Sequence, residues 1–310
     1  MSSELGDLCC HSHSGASITS NPNIYFHLQV KSALCQVLVT DDKQANILHA
    51  RSMITEAAEN GAELVVLPEC WNCPYSNDSF PKYAEDLSTG FAPSFDFMAD
   101  MAKKLGIVLV GGSIPEKAGE NLYNTCFIFG KNGDMLGKFS KLHLFDIDIP
   151  GKITFKESDT LTKGEQLTVV DTDVGRIGVG ICYDIRFPEL ASLCASRGAQ
   201  IMVYPGAFNM TTGPLHWELL QRARAVDNQF CVLTCSPARN QEGTYIAWGH
   251  STAVGPFGEI LGKRDHTEGI VYADLDLEQI PLRRTNMPIR QQRRNDLYAL
   301  MDLTRESNSK

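Results

Sequence analysis

Basic residues are scarce in this 310-residue chain, which has 28 lysine and arginine residues against 37 aspartate and glutamate residues and a formal net charge of −9. Nucleic-acid binding requires a basic face for the phosphates, so this charge balance argues against a nucleic-acid partner. The sequence also lacks a run of about 18 apolar residues, the minimum for a membrane-spanning helix, and no membrane partner is expected. An anionic small substrate remains compatible, because it senses only the local field of a pocket.

The first 27 residues contain neither lysine nor arginine. Secretory signals begin with a basic segment and mitochondrial transit peptides are rich in arginine, so neither address is expected. Serine, histidine, asparagine and glycine dominate this stretch, which predicts a mobile N-terminal tail over residues 1–27. We expect a cytoplasmic protein with a single domain over residues 28–300 and a C-terminal tail over residues 301–310.

Disulfide bonds are not expected among the ten cysteines, because a reducing compartment is predicted. Cys35, Cys126 and Cys231 lie in apolar stretches, as reduced core cysteines do. Cys70-Trp-Asn-Cys73 has the spacing of a redox or metal-binding motif, but no second CxxC and no histidine pair at zinc spacing accompanies it. We therefore predict no metal site, and we assign Cys70 to the core.

Strand-like and helix-like segments alternate along the chain. Lys31–Thr40 and the β-branched run Glu63–Leu67 are predicted strands, and the helical spacing of apolar residues predicts a helix over Lys43–Asn60 that Gly61 ends. Further helices are expected at Ser94–Leu105, Phe187–Arg197 and Trp217–Val226, and further strands at Ile107–Val110, Tyr123–Phe129, Met135–Ser140, Gly175–Ile181, Gln200–Tyr204, Gln229–Cys235 and Ile270–Leu275. The Asn-Gly pair within Lys131–Asp134 suits a type I′ hairpin turn. The pattern predicts one α/β domain with a sheet-rich core and outer helices.

Three residues with catalytic potential, Glu69, Lys141 and Cys182, stand at the carboxyl ends of predicted strands, where α/β folds expose side chains to ligands. Taken singly, they could be a surface carboxylate, a solvated hairpin lysine and a small buried hydrophobe. Taken together, they suit nucleophilic catalysis, because the carboxylate can accept the thiol proton while the lysine favours the thiolate and stabilises an oxyanion. The backbone N–H of Tyr183, directly after the nucleophile, would be a second oxyanion donor.

Three segments resemble the motifs of the carbon–nitrogen hydrolase (nitrilase) superfamily and occur in the family's order. They are Pro68-Glu69, residues 138–143 (KFSKLH) and residues 178–189 (GVGICYDIRFPE). The resemblance extends from about Val30 to Tyr298. It implies an αββα sandwich and a catalytic triad formed by the three polar residues above. It also implies homodimers or larger homo-oligomers that pair through the helices flanking the nucleophile, in a four-layer αββα–αββα arrangement.

A finer resemblance is to the omega-amidase branch, especially its plant-type members. It is carried by residues 72–75 (NCPY), 142–155 (LHLFDIDIPGKITF) and 204–214 (YPGAFNMTTGP), although the family usually has serine where this chain has Cys73. In that branch Glu157 matches a second glutamate near the nucleophile, which would orient the catalytic lysine and the attacking water. The alternative for this residue is a surface-loop carboxylate.

The branch resemblance implies hydrolysis of the terminal amide of a short dicarboxylic monoamide. Alpha-ketoglutaramate and alpha-ketosuccinamate would yield 2-oxoglutarate and oxaloacetate plus ammonia, through a thioester on Cys182 and without a metal or organic cofactor. The far carboxylate of such a substrate needs a cation or hydroxyl cluster. Lys152 and Tyr75 are the candidates, with a solvated loop lysine as the alternative for the former. Phe208 and Met210 are expected to wall the pocket, with core packing as the alternative.

Two further side chains suggest chemistry but are predicted to be structural. Arg186 is expected to pair with Asp184 or Glu189 and so to shape the turn at the nucleophile. His216 lies beside Trp217 in a helical context, which favours a structural role.

Two other classes of function remain to be weighed. A nitrilase, an N-carbamoyl hydrolase or a deaminated-glutathione amidase would keep the same triad. A non-catalytic scaffold is the alternative outside enzymes, but a scaffold has no need of an intact triad. An active Cys182 is expected to be alkylated first among the ten cysteines, which would separate these classes.

Overall fold

Two β-sheets lie face to face in residues 29–306, the part of the chain that a computed structural model describes. The strands are β1 (Gln29–Gln36), β2 (Leu64–Val66), β3 (Val108–Val110), β4 (Ile114–Ala118), β5 (Asn121–Phe129), β6 (Met135–Ser140), β7 (Asp146–Ile149), β8 (Ile153–Lys156), β9 (Thr168–Thr172), β10 (Gly175–Val179), β11 (Ile201–Pro205), β12 (Cys231–Cys235), β13 (Thr252–Val254), β14 (Ile260–Lys263) and β15 (Gly269–Asp276). The helices are α1 (Lys43–Glu59), α2 (Phe80–Tyr83), α3 (Pro93–Leu105), α4 (Pro188–Ser196), α5 (Gly213–Asn228), α6 (Gln279–Asn286) and α7 (Leu303–Glu306). The predicted alternation of strands and helices is confirmed.

Each sheet has three parallel strands at its centre and antiparallel strands at its sides. The first sheet has the order β15–β1–β2–β3–β5–β4, with β6 paired to β5, and β1, β2 and β3 run parallel. The second has the order β14–β13–β12–β11–β10–β9, and β10, β11 and β12 run parallel. Because parallel strands end at the same edge of a sheet, residues that follow β2 and β10 are brought to the edges where ligands bind.

Alternate residues of the parallel strands face opposite layers. Leu34 and Val66 pack between the two sheets, whereas their neighbours Ala33 and Val65 pack against the outer helices α1 and α3. The sheets touch directly, since the thiol of Cys235 on β12 donates to the carbonyl of Val66 at 3.4 Å. Helices α4 and α5 cover the other face of the second sheet. Burial on both faces explains the continuous apolar runs of these strands, and the αββα sandwich is confirmed.

The hairpin of β5 and β6 is confirmed, but its predicted type I′ turn is wrong. The strands pair Phe129 with Met135, so residues 130–134 form the connection instead of a two-residue turn. A type I′ turn needs a positive φ at both central residues. Gly133 has a φ of +82°, whereas Asn132 is not among the residues of the described chain with positive φ. The register shifts between Ile128 and Phe129, where Leu136 of β6 is the extra residue.

Residues 145–155, predicted as a loop, contain β7 and most of β8, which form a two-stranded hairpin of their own. Strands β4, β9, β13 and β14 were also absent from the prediction. Their few residues are flanked by polar turns and give little periodic signal.

The structure describes part of the predicted C-terminal tail and none of the predicted N-terminal tail. Residues 1–27 lie outside the described residues. Part of the predicted C-terminal tail is tied to the domain, because Asp302 contacts Arg197, at the end of α4, at 2.6 Å. The domain boundaries remain a prediction. No helix within residues 29–306 is long and apolar enough to cross a membrane.

Candidate active site

Glu69, which follows β2, is buried and surrounded by hydrogen-bond donors. Its Oε1 accepts from Lys141 Nζ at 2.8 Å and from Asn124 Nδ2 at 2.9 Å, and its Oε2 accepts from the Ala207 N–H at 2.8 Å. The thiol of Cys182 lies close enough to this carboxyl group to interact with it electrostatically. Burial raises the pKa of Glu69, and the charge of Lys141 offsets part of that effect. A carboxylate of raised pKa is suited to accept a thiol proton and to return it to a leaving group.

Lys141, directly after β6, has no exposed surface, and its ammonium lies between two carboxylates. Nζ is 2.8 Å from Glu69 Oε1, 2.9 Å from Glu157 Oε2 and 3.3 Å from the hydroxyl of Tyr75. Burial by itself would lower the pKa of this ammonium, but Glu157 and Glu69 outweigh burial and raise the pKa well above its ordinary value. Lys141 is therefore a fixed positive charge, of the kind that stabilises a developing oxyanion.

Cys182 begins a 3-10 turn over Cys182–Arg186, a short distance past β10. Its φ is +48°, in the left-handed region, where a residue with a Cβ is strained. Gly206 makes the turn possible, because a Cβ on Gly206 would lie 3.1 Å from the Cα of Cys182. N–H groups in the first turn of a helix have no acceptor within the helix, and that of Tyr183 belongs to this class. Its position therefore agrees with the oxyanion role that we predict for it.

The thiol of Cys182 is protonated at rest. Burial raises its pKa well above the ordinary value and the charge of Glu69 adds to that effect, while Lys141 acts in the opposite direction. The lysine charge favours the thiolate, as expected, but burial and Glu69 outweigh it in the resting site. The thiol must give up its proton during attack, and the neighbouring Glu69 is the acceptor at hand.

Glu157, at the end of β8, is also fully buried, so its alternative as a surface-loop carboxylate is wrong. Its Oε1 accepts from the Tyr75 hydroxyl at 3.2 Å and from Lys141 Nζ at 3.1 Å, and its Oε2 accepts from the Phe145 N–H at 2.7 Å. These contacts fix the position of the ammonium. The structure thus brings together five of the residues predicted for catalysis or substrate binding, namely Glu69, Lys141, Cys182, Glu157 and Tyr75.

Two residues of this site were missed by sequence analysis. Asn124 donates through Nδ2 to Glu69 at 2.9 Å and to Glu157 at 3.4 Å, and so separates the two carboxylates. Tyr245, in the loop after β12, donates from its hydroxyl to the Ala207 carbonyl at 2.5 Å. Neither residue lies in a recognisable motif, and neither follows the end of a predicted strand, so the sequence offered no signal for them.

Asp184 joins the nucleophile turn to the segment that carries the catalytic lysine. Its Oδ2 accepts from the Ile181 N–H at 2.9 Å, and its Oδ1 accepts from the His143 N–H at 2.9 Å and lies 2.6 Å from Nδ1 of the same histidine. Both carboxylate oxygens of Asp184 therefore already have hydrogen-bond partners. The predicted pairing of Arg186 with Asp184 or Glu189 is wrong.

We expect Asp184→Asn to lower the free energy of unfolding by about 2–3 kcal/mol, because a buried charge-assisted hydrogen-bond network is lost and an amide group is placed against N–H donors. Chemical denaturation monitored by circular dichroism measures this change. Glu189→Gln, in the same segment but exposed, is the control and should change stability by less than about 0.5 kcal/mol. Equal losses in both variants would contradict the structural role of Asp184.

Arg186 is a largely buried cation without a carboxylate partner among the described residues. Its guanidinium lies over the ring of Phe208 at 4.7 Å and over that of Tyr183 at 5.4 Å, and its Nη1 lies 3.2 Å from Nδ1 of His216. Its Nε is buried and unpaired. Burial lowers the pKa of this guanidinium, which reflects the cost of keeping a charge here. A buried charge is costly unless it is paired, so an anion from outside the chain would be stabilised at this position.

The residues predicted to bind substrate have different positions. Tyr75 is in the cluster, and its hydroxyl is used by the catalytic groups. Phe208 is 4% exposed and packs in the core, which was the alternative to a role in the pocket wall. Met210 is 42% exposed. Lys152 is exposed in the turn between β7 and β8, and no described contact joins its side chain to the cluster.

A cavity of about 470 Å³ opens beside the cluster, which is enough for a small monoamide. Its lining includes Glu69, Cys70, Cys73, Tyr75, Ala207 and Tyr245. Among residues 29–306, no group of three or more histidine, cysteine, aspartate or glutamate side chains is placed to hold a metal ion.

Comparison with known proteins agrees with this geometry. The family model described as carbon-nitrogen hydrolase matches residues 31–284. The chain is 61% identical over 274 residues to "Omega-amidase, chloroplastic" of Arabidopsis thaliana, covering 88% of this chain and 74% of the relative. It is 53% identical over 268 residues to "Omega-amidase NIT2" of Homo sapiens, covering 86% of this chain and 96% of the relative.

Among solved structures, Saccharomyces cerevisiae Nit3, described as a member of branch 10 of the nitrilase superfamily, matches with a TM-score of 0.79 and 46% identity. The match covers 86% of this chain and 97% of the other. The length of these matches and the buried carboxylate–ammonium–thiol cluster lead to one conclusion: the chain belongs to the carbon-nitrogen hydrolase family of the nitrilase superfamily.

Proposed function

We propose that this chain is an omega-amidase, which hydrolyses the terminal amide of alpha-ketoglutaramate and alpha-ketosuccinamate to 2-oxoglutarate and oxaloacetate plus ammonia. One observation carries the chemistry. The carboxylate of Glu69 contacts the ammonium of Lys141 and lies beside the thiol of Cys182 in a buried site. The substrate class is supported by the similarity of the chain to the omega-amidases of Arabidopsis thaliana and Homo sapiens.

The first half of the reaction forms a thioester. Cys182 attacks the amide carbon as its proton passes to Glu69, and the resulting oxyanion is stabilised by Lys141 and by the Tyr183 N–H. Glu69 then donates the proton to the nitrogen, and ammonia leaves. The resting protonation states described above are those that this step requires.

The second half of the reaction releases the acid. A water molecule gives a proton to Glu69 and attacks the thioester carbon, and the thiolate of Cys182 recovers the proton as it leaves. Glu157 orients Lys141 through its 2.9 Å contact. No step requires a metal or an organic cofactor.

We propose that Arg186 binds the distal carboxylate of the substrate. It lies in the same turn as Cys182, its guanidinium is held by aromatic rings, and it has no anionic partner among the described residues. A planar guanidinium suits bidentate binding of a carboxylate. The exposed Lys152 is a weaker candidate, because it would need the β7–β8 hairpin to bend inward. The ring of Tyr75 lines the cavity, and its hydroxyl positions the catalytic groups.

Arg186→Gln is expected to raise KM for alpha-ketoglutaramate about tenfold to a hundredfold with a smaller effect on kcat, because a charge-assisted contact to the substrate is lost. Steady-state ammonia release measures both constants. Hydrolysis of butyramide, which has no distal carboxylate, should be little changed. Lys152→Gln is the matched control. A large KM increase in Lys152→Gln and none in Arg186→Gln would reverse the assignment in favour of the hairpin lysine.

The proposed activity is tested by ammonia release from alpha-ketoglutaramate and alpha-ketosuccinamate, compared with an N-carbamoyl amino acid and an aliphatic nitrile. Faster turnover of the two keto acid amides supports the omega-amidase assignment. Turnover confined to either of the other compounds would move the chain to another branch of the superfamily.

We also propose a homodimer or larger homo-oligomer in the four-layer αββα–αββα arrangement. Helix α5, which lies beside the nucleophile turn, exposes Leu215 and Leu219 at 66% and 63%, and these residues share one face of the helix. Sedimentation of wild-type protein and of a Leu215→Glu/Leu219→Glu variant tests this. A monomeric wild type would contradict the proposal.

A cytoplasmic location is likewise a proposal, based on the lack of basic residues in the first 27 positions. The Arabidopsis relative is described as chloroplastic, and this description applies to that protein. Imaging of a C-terminal fluorescent fusion of the full chain in plant cells tests the proposal, and organellar signal would overturn it.

A further inference from the structure

The Cys70–Cys73 turn follows the catalytic carboxylate immediately and has no part in the mechanism above. The Cys73 N–H donates to the Cys70 carbonyl at 3.3 Å, which closes a four-residue turn. The Cys73 thiol is close enough to raise the pKa of the Cys70 thiol. The ends of a β-turn lie within about 7 Å of each other at Cα, and a disulfide needs about 4.4–6.8 Å. The backbone of this turn is therefore compatible with a disulfide between its ends.

The inner residues of this turn are fixed in the protein core. The indole N–H of Trp71 donates to the Gly111 carbonyl at 2.9 Å, and Asn72 Nδ2 donates to the Ser94 hydroxyl at 3.2 Å. Both side chains are fully buried. The turn therefore cannot rotate as a unit, and closure of a bond between its two ends must move the residues at its ends.

Both cysteines line the cavity of about 470 Å³ that also contains the catalytic carboxylate. Each is almost fully buried, at 2% and 1% exposure, so a large oxidant has poor access to them. A reagent of the size of water can reach them through the cavity. Cys70 has a φ of +49°, a strained conformation for a residue with a Cβ, and it is one of four such non-glycine residues in the described chain.

We propose that Cys70 and Cys73 are a dithiol oxidation site that hydrogen peroxide converts to an intramolecular disulfide. One thiol loses its proton, and the thiolate attacks a peroxide oxygen as the O–O bond breaks. A sulfenic acid forms, and the departing hydroxide takes up the released proton to give one water. The second thiol attacks the sulfenic sulfur, an S–S bond forms, and a second water leaves. The balance is two thiols plus one hydrogen peroxide to one disulfide plus two waters.

The disulfide is expected to inhibit the amidase, and this consequence rests on the proposed function. The turn lies between Glu69 and Tyr75, which both contact Lys141. The sulfurs must approach to about 2.05 Å, which moves the ends of a turn whose centre is fixed. A displacement of about 1 Å at a catalytic group can cost about 100-fold in rate. We expect kcat/KM to fall about tenfold to a hundredfold and to recover on reduction.

The experiment exposes the full wild-type chain to hydrogen peroxide, blocks the remaining thiols by alkylation and identifies the Cys70–Cys73 disulfide by peptide mass spectrometry. Burial raises the pKa of the Cys70 thiol, with the neighbouring Cys73 contributing, so the thiolate fraction is small and long incubations are needed. Ammonia release is measured before oxidation, after oxidation and after addition of dithiothreitol.

Two variants separate this site from the nucleophile. Cys73→Ser cannot form the disulfide, so its activity, relative to its own untreated sample, should fall and recover less than that of the wild type. Cys182→Ala should still form the Cys70–Cys73 disulfide, which tests the site independently of catalysis. If the disulfide forms in Cys182→Ala while reduced wild type has no amidase activity, the proposed function fails and the dithiol site stands. Absence of the disulfide in both wild type and Cys182→Ala overturns the proposal, as does identical loss and recovery of activity in wild type and Cys73→Ser.

Discussion

Replacement of Cys182 by alanine is expected to lower kcat/KM for alpha-ketoglutaramate by about 10⁵-fold or more. Removal of a covalent nucleophile abolishes the thioester route, and losses on the order of 10⁶ are known for such groups. The fold should persist, because the strained left-handed turn is held by Asp184 through its contact with the Ile181 N–H. Ammonia release measures the loss, and an acyl-enzyme adduct should be detectable by mass spectrometry in the wild type alone.

Cys194→Ala is the matched control for this prediction. Cys194 is a fully buried thiol on α4, packed against Gly178, and it contacts none of the catalytic side chains. Its replacement should leave kcat/KM within about twofold and lower stability modestly, through the small cavity that it creates. Activity that survives in Cys182→Ala but not in Cys194→Ala would refute the assignment of the nucleophile.

Glu69→Gln is expected to lower kcat by about 10³-fold, because general acid–base catalysis contributes roughly 10²–10⁴ to such reactions. Glutamine keeps the volume of the side chain but cannot accept the thiol proton or return it to ammonia. Glu116→Gln is the control, since Glu116 is also a buried glutamate and contacts Lys138 at 2.7 Å outside the site. A comparable loss in Glu116→Gln would show that the effect is one of folding rather than of proton transfer.

The pH dependence of kcat/KM gives a second test of the same residue. Glu69 must be ionised to act as a base, and burial raises its pKa above that of an ordinary glutamate, which is about 4.3. As the pH falls through this raised pKa, Glu69 is protonated and activity is lost. The acid limb should therefore lie above pH of about 4.3 and reflect the titration of Glu69. The residual activity of Glu69→Gln should lack this limb, and an unchanged limb would assign it to another group.

Much of the fold could be predicted because apolar periodicity reports burial. The helix expected at Lys43–Asn60 is α1, and Gly61, with a φ of +84°, follows it as the glycine that ends it. The strand expected at Lys31–Thr40 was too long, since pairing ends at Gln36 while Val37 is still 2% exposed. Periodicity detects burial, which continues past the last hydrogen bond of a strand.

The predicted convergence is confirmed where a motif placed a polar residue after a strand, and the catalytic roles of these residues stay predictions. Glu69, Lys141 and Cys182 converge as expected, and Glu157 joins them in the buried cluster. The assignments that failed concern partners: Arg186 does not pair with Asp184, and Asn124 between the two carboxylates was missed. A contact between residues distant in sequence depends on the packing of two sheets, and local sequence carries no record of it.

The sequence by itself determined the fold class, the family and the candidate catalytic residues, because strand periodicity and three motifs are local patterns that survive without coordinates. Only the tertiary structure decided the protonation state of those residues. The pKa of each group depends on its burial and on the charges around it. Both are set by the parts of the folded protein that replace water around the group. The same three residues on an exposed surface would be an ordinary acid, base and thiol. Enclosed between two sheets, they become a neutral thiol beside a carboxylate of raised pKa and a fixed ammonium.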